Sequence, residues 1–428
     1  MQGGDSEPHE TDPELETQMI LLASSHHDLE TLRTLLRKGS ANVQDSETGY
    51  TPLHSAIAAC ERSEEEAPNT ATNGNSTVIA SQNGESVHGS TNGLVSDTGD
   101  RSDVQRAAKT VRLLLQNGAI WNDLDNNDET PGCLARRLGL TELYEIMVDA
   151  GVRAEMLLNR LDAYELLRDE DESEDDEADE VTENAAAAED SQPKTDDLAS
   201  SLQSTNPDVS SAAFLQSNLS FQQDRLLDDD KNGVMMAWET QIMERTADLL
   251  LPKEGLRVLN VGHGMGIIDT FFQSKSPASH HIIEAHSFVL EQMKTNSWME
   301  KSGVTIHKGK WQEIVPKLIE DGVQFDAIYF DTFAEDYKAL RDFFDEYVIG
   351  LLDDGGKWGF FHGLGADRQI CYDVYTKVVE MDIFEAGYDV EWESLPVPDL
   401  EQSGEWHGVR RRYWVLDEYK LPICTFIS

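Results

Sequence analysis

Cysteine is scarce in this sequence, with only four among 428 residues, at positions 60, 133, 371 and 424. They are widely separated and form no CxxC pair, so the spacing typical of a disulfide framework or a zinc site is missing. The first residues are acidic and have no apolar core, and no stretch approaches 18 consecutive apolar residues. These features predict neither a signal or transit peptide nor a membrane span. We therefore expect a soluble, reduced, intracellular protein.

Positive charge is also scarce. Lys and Arg total 34 against 81 Asp and Glu, which gives a formal net charge of -47. Direct nucleic-acid binding depends on clustered Lys and Arg, and so does docking on anionic lipid, so the balance argues against both. A basic protein is the partner that such a surface favours.

The acidic residues are concentrated in one segment. Ten of the twelve residues 169–180 are acidic, and few large apolar residues follow them. This composition predicts a disordered acidic linker over residues 169–205. Residues 61–103 are polar and contain no Phe, Trp or Tyr, which predicts a disordered insertion within an N-terminal domain of residues 1–168.

A repeated pattern precedes the linker. The segments LLRKG, LLQNG and VDAG end at Gly39, Gly118 and Gly151, and the last two glycines are 33 residues apart. The first interval shortens to the same period when an insertion of about 46 residues is subtracted. Thr51 and Thr130 lie at equal distances after their glycines and each precedes a proline, so we expect each threonine to cap the start of a helix. We expect the glycines to end the second helix of each repeat. The pattern resembles the ankyrin repeat and predicts a small all-α domain, which either recognises a protein partner or only packs against the rest.

The second half of the sequence, residues 206–428, alternates short apolar runs with helical segments. The predicted strands are 257–261, 281–284, 304–307 and 325–330, with a fifth that contains 359–362. Helices are predicted between them, for example over 288–299 and 337–349. This alternation predicts a doubly wound parallel α/β sheet that binds ligands at the carboxyl ends of its strands.

A glycine turn follows the first strand, with Gly262, Gly264 and Gly266 in the segment GHGMG. The third glycine of a dinucleotide fingerprint is missing, which counts against binding of a pyrophosphate. Glu284 ends the next predicted strand, 22 residues after Gly262, and its carboxylate suits the two hydroxyls of a ribose. A nucleoside without phosphates fits this arrangement, and S-adenosyl-L-methionine is the cofactor of that shape. Asn260 stands where methyltransferases often have an acid, so it is a candidate to hold the cofactor's cationic end by hydrogen bonding.

Four segments carry a specific likeness, namely GVMMAWETQIM at 233–243, VLNVGHGMG at 258–266, KGKWQEI at 308–314 and YFDTFAEDY at 329–337. Together they resemble the guanidinoacetate methyltransferase family, and in particular its fungal relatives that methylate the internal (δ) nitrogen of arginine in proteins. The resemblance covers about residues 210–428, and the repeats and acidic linker match the architecture of those relatives. It implies a seven-stranded class I methyltransferase sheet, whose final antiparallel strands lie in residues 411–428.

The resemblance also assigns functions to individual residues. It implies that Glu239 and Asp331 are catalytic and hold the guanidino group, and it assigns no metal. The positions implied for S-adenosyl-L-methionine are Phe221, Met235, Met243, Gly262, His263, Gly264, Met265, Gly266, Ile267, Ile268, Glu284, Ala285, His286, Trp311, Gln312 and Asp331.

Two carboxylates suit this chemistry, because a protonated guanidinium has no lone pair free to attack a methyl group. Forked hydrogen bonds to carboxylates orient the guanidinium, and one carboxylate can accept the proton that leaves. Other interpretations stay open at this point. Glu239 could be a surface charge, Asp331 could only cap a helix, and the methionines and Trp311 could only fill the core.

Three functions are compatible with the sequence. The leading one is a protein arginine methyltransferase, for which the resemblance implies a large-subunit ribosomal protein as substrate. The alternatives are a methyltransferase of small guanidines and a non-catalytic repeat scaffold with a degenerate cofactor fold. We expect a monomer in the cytoplasm and nucleus.

Overall fold

The computed structural model describes residues 13–61, 98–162, 209–222 and 224–427. The chain divides into two compact units, Met1–Gly151 and Val152–Ser428. The predicted linker and residues 62–97 of the predicted insertion lie outside the described residues, so both predictions and the domain limits at 168 and 206 stay predictions. Residues 98–103, the end of the predicted insertion, lie in a helix, Thr98–Gln116. Within the described ranges, no helix has the length and apolar character needed to cross a membrane.

The first unit is helical in its described part. Its helices are α1 (Pro13–Ser25), α2 (Leu29–Leu35), α3 (Pro52–Ala58), α4 (Thr98–Gln116), α5 (Pro131–Arg137) and α6 (Thr141–Asp162), of which α6 continues into the second unit. Helix α3 packs against α1, α4 and α5. Two similar turns precede α3 and α5, closed by hydrogen bonds from the Asp45 amide to the Tyr50 carbonyl and from the Asp125 amide to the Glu129 carbonyl.

The predicted helix caps are present. The side chain of Thr51 accepts a hydrogen bond from the His54 amide, and that of Thr130 accepts one from the Cys133 amide. A proline follows each cap, where no amide donor is needed. These two predictions are confirmed, whereas the ankyrin-like repeat itself stays a prediction.

The predicted glycine ends are correct at only one position. Gly118 has a φ of 83° and follows the last turn of α4, as expected. Gly39 does not have a positive φ, and Gly151 lies inside α6. The prediction is wrong at Gly151 because the following segment, VRAEMLLNRLD, is rich in good helix formers that let the helix continue.

A small antiparallel sheet lies near the start of the part of the second unit that the structure describes from residue 209 onward. Helix α7 (Ser211–Gln216) precedes β1 (Ser220–Phe221), β2 (Arg225–Leu227) and β3 (Gly233–Met236), which pair in that order. A 3₁₀ turn, Ala237–Glu239, then leads into α8 (Thr240–Leu250). This arrangement places Glu239 at the start of an amphipathic helix that buries one face.

A seven-stranded sheet forms the centre of the second unit. Its strands are β4 (Arg257–Val261), β5 (Ser279–Glu284), β6 (Val304–Lys308), β7 (Phe325–Phe330), β8 (Leu352–Phe360), β9 (Tyr388–Pro396) and β10 (Glu418–Phe426). The order is β6-β5-β4-β7-β8-β10-β9, and only β10 runs antiparallel to its neighbours. This is the class I methyltransferase fold, as predicted. In its register Val261 pairs with both Ile283 and Phe330, so β4, β5 and β7 end side by side.

Helices cover the sheet between the strands. They are α9 (Ile267–Ser274), α10 (Ser287–Thr295), α11 (Trp311–Glu320), α12 (Tyr337–Asp342), α13 (Val348–Leu351) and α14 (Gln369–Glu385). A π-helical turn, Phe343–Tyr347, separates α12 from α13, so the single helix predicted over 337–349 is interrupted. The predicted fifth strand ends at Phe360, before His362.

The end of the chain supplies one strand of the final antiparallel pair, not both. β10 pairs along its whole length with β9, which comes from residues 388–396. The prediction that both strands lie in 411–428 is therefore wrong. The side chains of Tyr413 and Trp414 are buried beside Trp238 instead of pairing in a sheet.

Candidate active site

The turn after β4 needs glycine because its backbone has positive φ values and passes close to the backbone of Asp331. Gly262, Gly264 and Gly266 have φ values of 96°, 54° and 72°, which side-chain-bearing residues rarely adopt. A Cβ on Gly262 would lie 1.9 Å from the carbonyl oxygen of Asp331. The turn after β4 therefore contacts the chain after β7, and both lie at the carboxyl edge of the sheet.

Glu284 ends β5 and is fixed by two backbone amides. The His263 amide donates to its Oε2 at 2.9 Å, and the His286 amide donates to its Oε1 at 2.6 Å. A carboxylate has about four acceptor positions, so each oxygen keeps capacity for one more donor. Glu284 is thus oriented before any ligand arrives.

A pocket opens between the glycine turn, Glu284 and α7, and we call it the glycine-turn pocket. It is lined by Ser211, Phe214, Leu215, Leu226, Val234, Met235, Val261, Gly262, Gly264, Ile283, Glu284, Ala285, Val289, Gly309, Lys310, Trp311, Gln312, Asp331, Thr332, Phe333 and Glu335. Eight of the residues that the resemblance assigns to the cofactor are among these, namely Met235, Gly262, Gly264, Glu284, Ala285, Trp311, Gln312 and Asp331.

The other assigned residues do not line this pocket. Phe221 is 40% exposed on β1, and Met243 is buried behind the site, where its sulfur accepts a hydrogen bond from the Tyr329 hydroxyl. The remaining six lie in the turn or beside it without lining the pocket, namely His263, Met265, Gly266, Ile267, Ile268 and His286. Two of the six, His263 and His286, contribute the backbone amides that hold Glu284.

A buried cluster lies behind the glycine turn. Asp269 accepts hydrogen bonds from the Asn260 amide at 2.8 Å and from the rings of His263 and His280 at 2.6 and 2.8 Å. Burial acts to raise the pKa of Asp269, but the two histidine bonds outweigh it and hold that pKa at about 2. Asn260 also donates to the Gly262 carbonyl at 2.7 Å and does not line the pocket. Its side chain therefore supports the turn from behind.

A second pocket adjoins the first, and we call it the carboxylate pocket. It is lined by Gly233, Val234, Glu239, Phe330, Asp331, Thr332, Phe333, Glu335, Asp336, Tyr337, Leu340, Phe361, Gly363, Leu364 and Tyr413. Val234, Asp331, Thr332, Phe333 and Glu335 line both pockets. Asp331 therefore lies at the junction, with Glu239 on the carboxylate side.

Both candidate catalytic carboxylates are held in a poorly hydrated environment. Burial, reinforced by the charge of Asp331, raises the pKa of Glu239 to about 8. Burial, reinforced by Asp269, raises the pKa of Asp331 to about 7. Asp331 Oδ2 is buried without a hydrogen-bond partner. Within the described part of the chain, neither carboxylate has a Lys or Arg ion-pair partner, so the pocket is suited to an incoming cation.

Sequence reasoning did not identify several residues of the site. Glu335 accepts hydrogen bonds from Trp311 Nε1 at 3.0 Å and from Gln312 Nε2 at 2.9 Å. It lies in YFDTFAEDY, one of the four segments that carry the family likeness. Phe214 receives a hydrogen bond from the His286 ring on its carbonyl at 3.1 Å. Tyr413 contacts Glu239 from 174 residues away, and no local pattern marks it.

The sheet order and the two adjoining pockets define a class I methyltransferase. The chain matches the guanidinoacetate N-methyltransferase family over residues 210–385. It is 57% identical to protein arginine N-methyltransferase 2 of Aspergillus fumigatus over 97% of each chain, and 56% identical to that of Emericella nidulans over 98% of this chain and 99% of the relative. The Saccharomyces cerevisiae relative is 37% identical over 76% of this chain and 79% of its own. The chain belongs to the protein arginine N-methyltransferase 2 family.

This membership bears on three of the sequence predictions. The resemblance, the expectation of a methyltransferase and the expectation of S-adenosyl-L-methionine as methyl donor are confirmed. Among solved structures, a precorrin-6y C5,15-methyltransferase from Geobacter metallireducens aligns with 13% identity and a TM-score of 0.31, over 44% of this chain and 88% of its own. That likeness is too distant to add to the assignment.

Proposed function

We propose that this protein transfers a methyl group from S-adenosyl-L-methionine to the internal (δ) nitrogen of an arginine in a basic protein. The observation that carries the proposal is the pair Glu239 and Asp331, two carboxylates without a cationic partner in the described chain, where the two pockets meet. A guanidinium is the cation whose planar donors match two convergent carboxylates. The relatives that align along nearly the whole chain are named protein arginine N-methyltransferases, which favours a protein over a small guanidine as the substrate.

The glycine-turn pocket fits the proposed cofactor. Glu284 has one free acceptor position on each oxygen, which matches the two hydroxyl donors of a ribose. Ile283, Val289 and Trp311 give the pocket an apolar wall for a base. Gly262 and Gly264 line this pocket without a side chain, so a ligand can approach their backbone closely. When bound, the cofactor supplies an electrophilic methyl group on its sulfonium.

In the proposed reaction the two carboxylates bind and orient the guanidinium. Their negative charge draws positive charge toward the nitrogens that they contact, which leaves electron density on the nitrogen that is methylated. The product keeps one positive charge, so the N–H proton must leave as the N–C bond forms. A carboxylate with a pKa near neutrality is suited to accept that proton. Orientation of the nitrogen toward the methyl group contributes further to the rate.

The first unit is proposed to present the substrate. Its equal spacing of capped helices supports an ankyrin-like stack, a fold that offers an extended surface to proteins. The net charge of -47 favours a strongly basic partner, and a large-subunit ribosomal protein has that character. We further propose that the enzyme is a monomer and works in the cytoplasm and nucleus.

Mass spectrometry of a basic ribosomal protein fraction, incubated with the enzyme and isotope-labelled S-adenosyl-L-methionine, tests the proposal. We expect labelled monomethylarginine whose fragments place the methyl group on the internal nitrogen. The Asp331→Asn protein serves as the matched control and should label nothing above background. Labelling of a terminal guanidino nitrogen, or of no protein at all, would contradict the proposal.

A further inference from the structure

Tyr413 lies between two groups of the carboxylate pocket. Its hydroxyl lies 2.5 Å from Glu239 Oε1 and 3.1 Å from Trp238 Nε1. An indole N–H can only donate, so the Tyr413 hydroxyl accepts from Trp238. Its own proton is then directed to Glu239. The geometry fixes the direction of this hydrogen-bond chain, which runs from Trp238 through Tyr413 to the carboxylate.

The contact leaves the two oxygens of Glu239 in different states. The Met236 amide also donates to Oε1, at 3.3 Å, so this oxygen receives two protein hydrogen bonds. No described residue donates to Oε2 of Glu239, and the side chain lines the carboxylate pocket. Oε1 therefore anchors the side chain, and Oε2 keeps its acceptor positions for a ligand of the carboxylate pocket.

Tyr413 is itself held in place by the strands before α8. A Cβ on Gly233, the first residue of β3, would lie 2.8 Å from the Tyr413 ring, so the ring packs against bare backbone. Arg225 on β2 donates to the carbonyls of Glu405 and His407, which fastens the loop that carries Tyr413. These contacts fix a residue of the loop between β9 and β10 above Glu239.

We propose that Tyr413 is a positioning residue for the methyl transfer. Its hydroxyl occupies Oε1 of Glu239, which leaves Oε2 for the guanidinium, and its hydrogen bond stabilises the ionised form of that carboxylate. The inference rests on the proposed function, since it assigns a task to Glu239 in that reaction. Tyr413 acts through Glu239 and takes no part in bond making.

The role predicts a defined pH effect. The titratable groups that interact electrostatically with Glu239 are Asp331 beyond β7, Tyr329 on β7, Tyr419 on β10 and Tyr413 itself. Glu335, Asp336 and Tyr337 line the same pocket. Asp331 opposes ionisation of Glu239 and the Tyr413 hydrogen bond favours it. Removal of the hydroxyl must therefore raise the pKa of Glu239, and activity that needs the carboxylate must then begin at a higher pH.

The test is the pH profile of the Tyr413→Phe enzyme. Initial methyl incorporation into the basic ribosomal protein fraction, at a substrate concentration below saturation, measures relative kcat/KM from pH 6 to 10. We expect the acidic limb of the profile to shift to higher pH by about one unit. Relative to wild type, kcat/KM should fall about tenfold at pH values below the limb and by less above it. Tyr372→Phe is the matched control, because that buried hydroxyl accepts from the Lys420 amide and leaves Glu239 untouched. Its limb should not move.

Two further variants keep the test decisive. In a Glu239→Gln background, Tyr413→Phe should change the residual rate by less than about twofold, because residues that act as a unit are not additive. If Tyr413→Phe does not fold, Trp238→Phe removes the donor that orients the hydroxyl, together with part of a buried ring, and should move the limb in the same direction. If the acidic limb of Tyr413→Phe does not move, or if activity falls equally at every pH, the inference is overturned. The proposed function still stands in that case, provided that the wild type is active. A wild type that transfers no methyl group overturns both.

Discussion

At the scale of single residues, the site depends on carboxylates kept where ionisation is unfavourable. A buried carboxylate without a cation costs free energy that folding must offset. Glu239 is 4% exposed, and its only hydrogen-bond donors in the described chain are the Tyr413 hydroxyl and the Met236 amide. Such a group is expected where a bound cation later provides the missing partner. The stability cost and the catalytic capacity thus have the same origin.

The amide variants test the carboxylate pair. Glu239→Gln and Asp331→Asn keep size but remove the charge that holds the guanidinium and the base that accepts its proton. Each should bind S-adenosyl-L-methionine nearly normally and lose methyl transfer by roughly a hundredfold or more. Calorimetry and methyl incorporation measure the two effects, and the exposed Glu313→Gln is the control. Folded amide variants that methylate at close to the wild-type rate would refute the mechanism.

Stability should respond to pH through Glu239. Its ordinary pKa of 4.5 rises to about 8 in the folded protein, so between these values the folded state holds a proton that the unfolded chain releases. This contribution is complete below pH 4.5 and is lost as the pH rises through 8. Glu239→Gln cannot ionise, so its Tm should exceed that of wild type at pH 9 by a few degrees, on the order of 2–4 °C per kcal/mol. Thermal unfolding at pH 5 should show a much smaller difference, and equal differences at both pH values would disprove the assignment.

Glu284 is expected to govern cofactor affinity. Glu284→Ala removes both acceptors for the ribose and also frees the amides of His263 and His286. The dissociation constant for S-adenosyl-L-methionine should rise at least about tenfold, which corresponds to about 1.4 kcal/mol. Isothermal titration calorimetry measures it, with circular dichroism to establish folding. An unchanged constant in a folded variant would rule out the ribose contact.

At the scale of elements, the sequence predicts best where burial is continuous along the chain. The runs RVLNV and FDAIYF match β4 and β7 to the residue, because strands covered on both faces are mainly apolar along their length. Thr51 and Thr130 are predictable for a local reason, since a cap depends only on the next three residues. The loop with Tyr413 was not predictable, because its burial depends on β2 and β3, far away in the chain.

The tight approach of two elements at Gly262 can be tested with one methyl group. Gly262→Ala would place its Cβ 1.9 Å from the Asp331 carbonyl and would strain a φ of 96°. We expect lower thermal stability and loss of cofactor binding, because the turn and Asp331 must separate. Gly255→Ala is the matched control, since its φ is 80° and no atom lies within 4 Å of its Cβ. It carries the backbone strain alone, so an equal effect of both variants would show that the contact with Asp331 is unimportant.

At the scale of the whole molecule, the proposed chemistry and the proposed recognition belong to different units. Every residue of both pockets lies between Ser211 and Tyr413, inside the second unit. The end of α6 also belongs there, since Glu155 accepts a hydrogen bond from the Tyr375 hydroxyl at 2.8 Å. A division of the chain that respects this contact begins at Val152. The limit at residue 168 that the sequence predicts lies outside the described residues and stays a prediction.

Removal of residues 1–151 tests whether the first unit presents the substrate. The remaining chain has its own core and keeps Glu284 and the glycine turn, so S-adenosyl-L-methionine should bind with nearly unchanged affinity. A second attachment raises the effective concentration of a bound substrate, and its loss should slow methylation of an intact basic ribosomal protein by about tenfold or more. A short arginine peptide cannot reach both units and should lose much less. Calorimetry and methyl incorporation with both substrates give the comparison. Equal losses for protein and peptide would show that the first unit supports the fold of the second and does not recognise the substrate.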